Sequence, residues 1–330
     1  MTGGAAVLKS QQFPKLNRAY ESVFRPGRLT IGLVSPIEAY ATSAEPTMHR
    51  HIERAQLAEA LGFSAAWLRD VPFNVPSFGD AGQLFDPFVY FGLLAGQTES
   101  IALGAASIIL PLRHPAHVAK AAASADVLSG GRLLLGVASG DRPEEYPALN
   151  APFEQRGERF RNAVDYISQM ASERPQVTNS WGRVGGGMDM LPKPSGSRLP
   201  LLITGGAQQD RDWVAANGDG WMTYPRNVAS QASLIADYRA RTSAAGLREK
   251  PVMQPLYIDY LAEADASPRP LHLGFQSGAK HLRAYLKDLE AVGVNHVALN
   301  LRFNQDDVET TMKRLADEIL PDFAIQGPDQ

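Results

Sequence analysis

The sequence predicts a single closed (β/α)8 barrel with insertions, and three observations lead there. Apolar, β-rich runs alternate with helical patterns almost from end to end, the strand-like runs number eight, and several are continuously apolar, as strands covered on both faces are. A doubly wound open sheet is the alternative that counting alone leaves open.

The first strand candidate is Leu29–Ser35 (LTIGLVS). Pro46-Thr47 then caps a helix with Met48, Ile52, Ala55 and Leu61 on one face, and Gly62 ends it. Ala65–Leu68 is the second strand. Asp86-Pro87 combines an N-cap with a proline at the first helical position and opens a helix to about Thr98. Ile101–Ile109 is the third strand. His114-Pro115 opens the next helix, Ser129-Gly130-Gly131 closes it, and Leu133–Val137 is the fourth strand. A long helix over Arg156–Glu173 follows. The Gly- and Pro-rich segment Pro175–Leu199 reads as an irregular excursion or hairpin. Leu201–Thr204 and Gly220–Thr223 are strands five and six, separated by a helix starting near Asp210. Val228–Ala245 is helical and Val252–Leu261 alternates as strand seven. Leu282, Tyr285, Leu286, Leu289 and Val292 form one helical stripe. Val297–Leu301 is strand eight, and the last helix, capped at Asp306, carries Val308, Met312, Leu315 and Ile319. With no repeat and no interior linker, residues 28–325 read as one domain, preceded by an arm (1–27) and followed by a short tail (326–330).

Composition narrows the function. Of 330 residues, 44% are apolar and 20% charged, enough for a large core and against global disorder. The 32 Lys+Arg nearly balance the 35 Asp+Glu and form no basic block, so neither a nucleic-acid nor a membrane-surface partner is expected. The absence of cysteine excludes disulfides, thiolate catalysis and Cys-ligated metal. Residues 1–27 contain no apolar signal core, and no run approaches the ~20 apolar residues of a spanning helix. A cytoplasmic, soluble protein is the expectation.

Nucleophile-elbow, P-loop, dinucleotide-binding and H-E-x-x-H patterns are all missing. His49 and His51 sit at i and i+2 on an expected helix, where they do not share a face, so a metal role is not expected. His114 and His117 share a face but lack a third ligand nearby and read as structural.

In a barrel the chemistry belongs at the C-terminal ends of the strands. The densest motif run is IALGAASIILPLRHPAHVAKAAASADVLSGGRLLLGVASGDRPEEYPALNAPFEQRGERF, from Ile101 to Phe160, joined by PLLITGGAQQD and GDGWMTYPRN further on. This run resembles the bacterial-luciferase-like flavin monooxygenases. The resemblance implies a cis peptide at Ala106-Ser107 behind a flavin ring, phosphate or ribityl contacts at Ser139-Gly140, an anion seat at Gly205-Gly206-Ala207 before a helix, and Trp221 against the ring. Luciferase carries an arginine at the Ser139 position, so the phosphate charge here must be met elsewhere. The His pair found after strand two in that family is also absent. Arg69 and Asp70 stand nearest the expected reaction centre instead, as catalytic or substrate-binding candidates or as an ion pair with each other at the rim.

What the resemblance implies for activity is a two-component monooxygenase. Reduced FMN from a separate reductase reacts with O2, and the resulting C4a-peroxyflavin oxygenates a small organic substrate. The alternatives are a 5-deazaflavin-dependent hydride transfer and a non-catalytic flavin-binding relative. A homodimer is expected, as is common in the family. The Pro/Gly-rich loop Val71–Gly82 is a candidate lid, and Tyr40, Phe73, Phe78, Phe85 and Tyr90 suggest an apolar pocket wall.

Overall fold

In the computed structural model, which describes residues 12–324, eight parallel strands close into a barrel. They are Thr30–Val34, Ala65–Leu68, Ala102–Ile109, Leu133–Ala138, Leu201–Thr204, Gly220–Met222, Val252–Tyr260 and His296–Asn300. Each pairs with the next, and the eighth returns to the first through Thr30↔His296, so no edge is left open. All eight fall within one or two residues of the positions read from the sequence.

Alternation along each strand sends side chains to two different cores. Outward-facing Leu33, Leu68, Leu103, Leu135, Ile203 and Leu299 join the layer beneath the helices. Inward-facing Val34, Trp67, Leu134, Leu202, Met222 and Met253 fill the barrel itself. Two glycines make that filling possible. A Cβ on Gly104 would lie 2.2 Å from the Trp67 ring, and one on Gly32 would lie 2.9 Å from the His296 ring.

Those two large side chains form the barrel floor. The Trp67 indole N–H donates to His296 Nε2 at 2.8 Å, His296 Nδ1 lies 2.8 Å from Thr30 Oγ1, and Thr30 donates to the Val23 carbonyl at 2.7 Å. An indole N–H can only donate, which assigns the imidazole proton to Nδ1 and makes the chain run one way. Burial pushes the His296 pKa down to about 3, so the ring is neutral.

The N-terminal end of the barrel is closed from below. The helix Arg18–Val23 starts at Asn17, whose side chain accepts the Tyr20 N–H and donates to Asp126 and the Leu133 carbonyl. Leu16, Tyr20, Val23 and Phe24 enter the interior cluster, and the Tyr20 hydroxyl donates to the Asp219 carbonyl at 2.6 Å. Among the described residues, no helix is long and apolar enough to cross a membrane.

Three local expectations are corrected. The helix expected from Thr47 runs over His51–Ala60, because Met48 and Arg50 take left-handed backbone (φ 57° and 56°) and the Thr47 and Met48 amides are held by the Glu38 carboxylate. The last helix is capped by Asp307 rather than Asp306. Two short strands after the seventh, Arg269–Leu271 and Gly274–Ser277, were not expected, and the second of them extends the sheet beside Tyr257–Tyr260. At three and four residues they are too short to show a period. The Gly/Pro segment does contain a hairpin, Val177–Asn179 with Gly182–Val184.

Candidate active site

At the C-terminal end of strand three the ladder skips: Ala105 pairs with Leu135, but the next pair is Ile108 with Val137. One extra residue is thus bulged out, and the Ala106–Ser107 peptide in it is cis, as the resemblance implies. The Ser107 hydroxyl reaches across the mouth and shares a hydrogen bond with Thr204 at the end of strand five, with Met222 Sδ beside both.

Strand four ends in Ser139-Gly140. The Tyr146 hydroxyl donates to the Ser139 carbonyl, and Gly140, at φ 76°, has no room for a Cβ, which would lie 2.7 Å from Ile109 and 2.8 Å from the Tyr146 oxygen. Strand five ends in the turn Gly205–Gln208. Its conformation differs from the expected helix N-terminus. Gly205, Ala207 and Gln208 all have positive φ, and the following helix begins only at Arg211 behind the Asp210 cap. A Cβ on Gly206 would meet nothing closer than 3.8 Å, so the space before this turn is open. Trp221 lies on the outward face of strand six, its ring against Tyr238 at 5.1 Å, and its indole donates to the Gly205 carbonyl at 2.9 Å. The ring therefore braces the turn from the helix layer.

Between these two strand ends sits the start of the helix Arg156–Gln169, the PFEQRGERF motif. Gly157 is tight against Gln208, and Arg156 lies over the Phe153 ring at 3.8 Å with its Nε buried and without a partner. Burial raises the Tyr146 pKa, and the positive charges of Arg156 and Arg159 offset part of that rise. Gly206 facing open space, an orphaned guanidinium nitrogen and a hydroxyl are the kinds of group that suit the phosphate of a flavin-type cofactor.

Arg69 and Asp70 do not pair with each other, which corrects the rim ion pair expected from the sequence. Successive residues at a strand end point opposite ways. Asp70, its carboxylate almost fully buried, is gripped by Arg113 through Nε (2.9 Å) and Nη2 (2.7 Å) and accepts the Ile109 N–H at 3.0 Å. It thus ties strand two to the end of strand three. Arg69 turns to Asp80 in the loop that follows strand two, at 2.6 Å.

Asp80 is the hub of the mouth. It receives Arg69, Arg302 at 3.0 Å, the Tyr40 hydroxyl at 3.0 Å and the Gly82 N–H at 2.9 Å, while its carbonyl takes Arg142 at 3.2 Å. Loops after strands one, two, four and eight are thereby joined. Arg69 and the Gly82 amide outweigh burial and hold the Asp80 carboxyl below its usual range. Burial raises the Tyr40 pKa, with the Asp80 charge adding to it. The five aromatics expected to form one wall divide: Tyr40 serves Asp80, Phe78 lies under Arg142, Phe85 and Tyr90 cluster with His51, and Phe73 is exposed. His51 Nδ1 lies 3.0 Å from the Tyr90 hydroxyl, and His114 accepts the Ala116 N–H as a helix cap.

The chain matches the family model described as luciferase-like monooxygenase over residues 29–330. An F420-dependent hydroxymycolic acid dehydrogenase of Mycobacterium tuberculosis is 29% identical over 226 residues, covering 67% of this chain and 59% of that protein. The match therefore spans about three fifths of that relative's length. Among solved structures, monooxygenase RslO1 from Streptomyces bottropensis superposes with a TM-score of 0.75 at 18% identity, covering 89% of this chain and 100% of that one. An F420-dependent secondary alcohol dehydrogenase does so with 0.73 at 17% identity, covering 89% and 98%. At those identities the likeness speaks for the fold alone. From the barrel, its bulged third strand and the family match together, the chain belongs to the luciferase-like monooxygenase family.

Proposed function

We propose that this chain is an oxidoreductase that binds coenzyme F420, a 5-deazaflavin, at the C-terminal mouth of its barrel and exchanges hydride with a small organic substrate. The observation that carries this reading is the F420-dependence of the hydroxymycolic acid dehydrogenase, a relative in sequence. It reverses the order taken from the sequence, which put FMN first.

When bound, a deazaflavin supplies hydride chemistry that needs no O2. The chain's own residues supply the rest. Ser139, Gly206 and Arg156 are suited to hold the phosphate, and the Ser107 bulge to back the ring. Trp67, held by His296, gives the cavity a rigid floor. The loop tied down through Asp80 covers the mouth and keeps water out. Arg69 and Asp70, both engaged in ion pairs, position the loop and the third strand.

A second reading rests on the description of the family itself: a two-component monooxygenase using O2 and reduced FMN from a reductase partner. Parallel anaerobic titrations with oxidised F420 and with reduced FMN separate the two. Saturable binding of F420, with reoxidation of FMN no slower than in free solution, supports the first; retention of reduced FMN and slowed reaction with O2 sinks it. The dimer expectation carries over as a proposal too. The helix Pro87–Gln97 leaves Val89 73% and Leu93 40% exposed on one face, and sedimentation of wild type against Leu93→Glu tests whether two copies meet there.

A further inference from the structure

At the N-terminal rim of the barrel, outside the floor formed by Trp67 and His296, a cleft of about 230 Å³ lies between the entries to strands five, six and seven. Its charged lining is Arg198, just before strand five, Asp219, just before strand six, and Arg248 and Lys250, just before strand seven. Lys250 is 7% exposed, and its Nζ donates to the Ala215 and Ala216 carbonyls at 2.5 and 3.2 Å, near the end of the helix Arg211–Asn217. An ammonium has three protons, so one is left unspent. Arg198 gives one Nη to Asp219, whose other oxygen accepts the Leu201 N–H at 3.1 Å. Arg248 is exposed and forms no ion pair among the described residues, its neighbour Glu249 being taken by Arg239 at 2.6 Å. Burial lowers the Lys250 pKa to about 8, with Asp219 opposing the fall and Arg198 adding to it.

We propose that this cleft is a binding site for a small phosphate monoester, held by Arg198, Arg248 and Lys250. Three cations line it with one carboxylate, an excess of two positive charges. A phosphate monoester at neutral pH brings about two negative ones. A cation finds no free acceptor here, because the Asp219 carboxylate and the Ala215 and Ala216 carbonyls are already engaged. A neutral ligand would leave the excess charge in place. A carboxylate would offset only half of it, and it offers two oxygens to donors on three separate side chains, where a phosphate offers three. Pro14, Leu201 and Leu247 add apolar wall for the carbon part of the ester. The volume is below the roughly 300 Å³ at which pockets for drug-sized ligands begin, so that part is short. The site lies at the opposite end of the barrel from the mouth and is independent of the cofactor proposed there.

The test is calorimetric titration of the full chain with glycerol 3-phosphate and, separately, with propionate, at constant ionic strength. The phosphate is expected to saturate one site and to bind about tenfold more tightly than propionate, the scale of one further charge-assisted hydrogen bond. Binding keeps Lys250 protonated, so a proton is taken up around and above pH 8, and affinity falls about tenfold between pH 7 and pH 9. The phosphate itself titrates at about pH 6 and stays a dianion over most of that range. Heats measured in two buffers of different ionisation enthalpy read the proton uptake. Arg248→Met, at an exposed side chain, weakens phosphate binding about tenfold, and Lys250→Met removes the proton uptake. Arg183→Met, on the hairpin strand Gly182–Val184 outside the cleft, changes neither. Should Lys250→Met fail to fold for want of its helix contacts, the pH profile of the wild type and the Arg248→Met affinity decide. No saturation at pH 7, propionate binding as tightly, undiminished affinity in Arg248→Met, or binding without proton uptake would overturn the proposal.

Discussion

The polar groups at the centre of the two barrel ends are paired differently. At the N-terminal end Trp67, His296, Thr30 and Val23 form a chain in which every donor meets an acceptor, and Tyr20 and Phe24 seal it from below. At the C-terminal end polar groups are brought together with some of their bonding capacity unspent: Arg142 Nη1, Glu145 Oε1, Arg156 Nε and Arg302 Nε all lack partners. Satisfied burial stabilises, and unsatisfied burial costs stability unless a ligand completes it. The contrast teaches where to look for function in this fold and where to look for stability.

Breaking the closed end has the largest expected effect. Trp67→Ala removes the floor and leaves a cavity, costing about 3–5 kcal/mol in urea unfolding. A loss below about 1 kcal/mol would mean that the floor is not the keystone described.

Acid attacks the same place. The folded state refuses a proton at His296 until about pH 3, whereas the unfolded chain takes one up below its ordinary pKa of 6.5. Stability from this group is therefore complete above pH 6.5 and falls as pH drops from 6.5 toward 3, by about 2 kcal/mol at pH 5. His296→Gln flattens this part of the pH–stability curve, and an unchanged slope would refute the assignment.

At the open end Asp80→Asn leaves Arg69 and Arg302 without their counter-charge at a cost of about 1–3 kcal/mol. The change is local: hydrogen exchange should quicken in residues 71–83 and stay unchanged in the strands. The smallest stability change, within about 0.5 kcal/mol, is expected of Gly206→Ala, whose Cβ enters open space. Arg156→Met should also unfold close to the wild type while binding F420 about tenfold more weakly, a loss equivalent to about 1.4 kcal/mol. Undiminished cofactor affinity in Arg156→Met would move the phosphate site elsewhere.

All eight barrel strands were legible because each carries a local signal, an apolar run bounded by a cap or a glycine. Asp86, His114 and Asp210 cap their helices as their neighbours in sequence indicate. The bulge at Ala106–Ser107 and the Ser139-Gly140 strand end were reached through the resemblance rather than through periodicity. What escaped was pairing over distance. Trp67 and His296 are 229 residues apart, and Asp80 meets Arg302 from another loop altogether. Nothing in the spacing of either residue announces its partner. The Arg156 proposed for the phosphate was within reach as well, an arginine opening the helix of the PFEQRGERF motif next to a glycine. Gly205–Ala207 were expected at a helix start because the two glycines suggest a tight entry, whereas three positive φ angles at Gly205, Ala207 and Gln208 make a separate turn.

The most direct test of the contrast between the ends is hydrogen–deuterium exchange on the full chain with and without saturating oxidised F420. The account predicts new protection at residues 71–83, 139–146 and 205–209 and no change at residues 16–24 or in the strand His296–Asn300. Protection confined to the N-terminal end, or none anywhere at saturation, would contradict it.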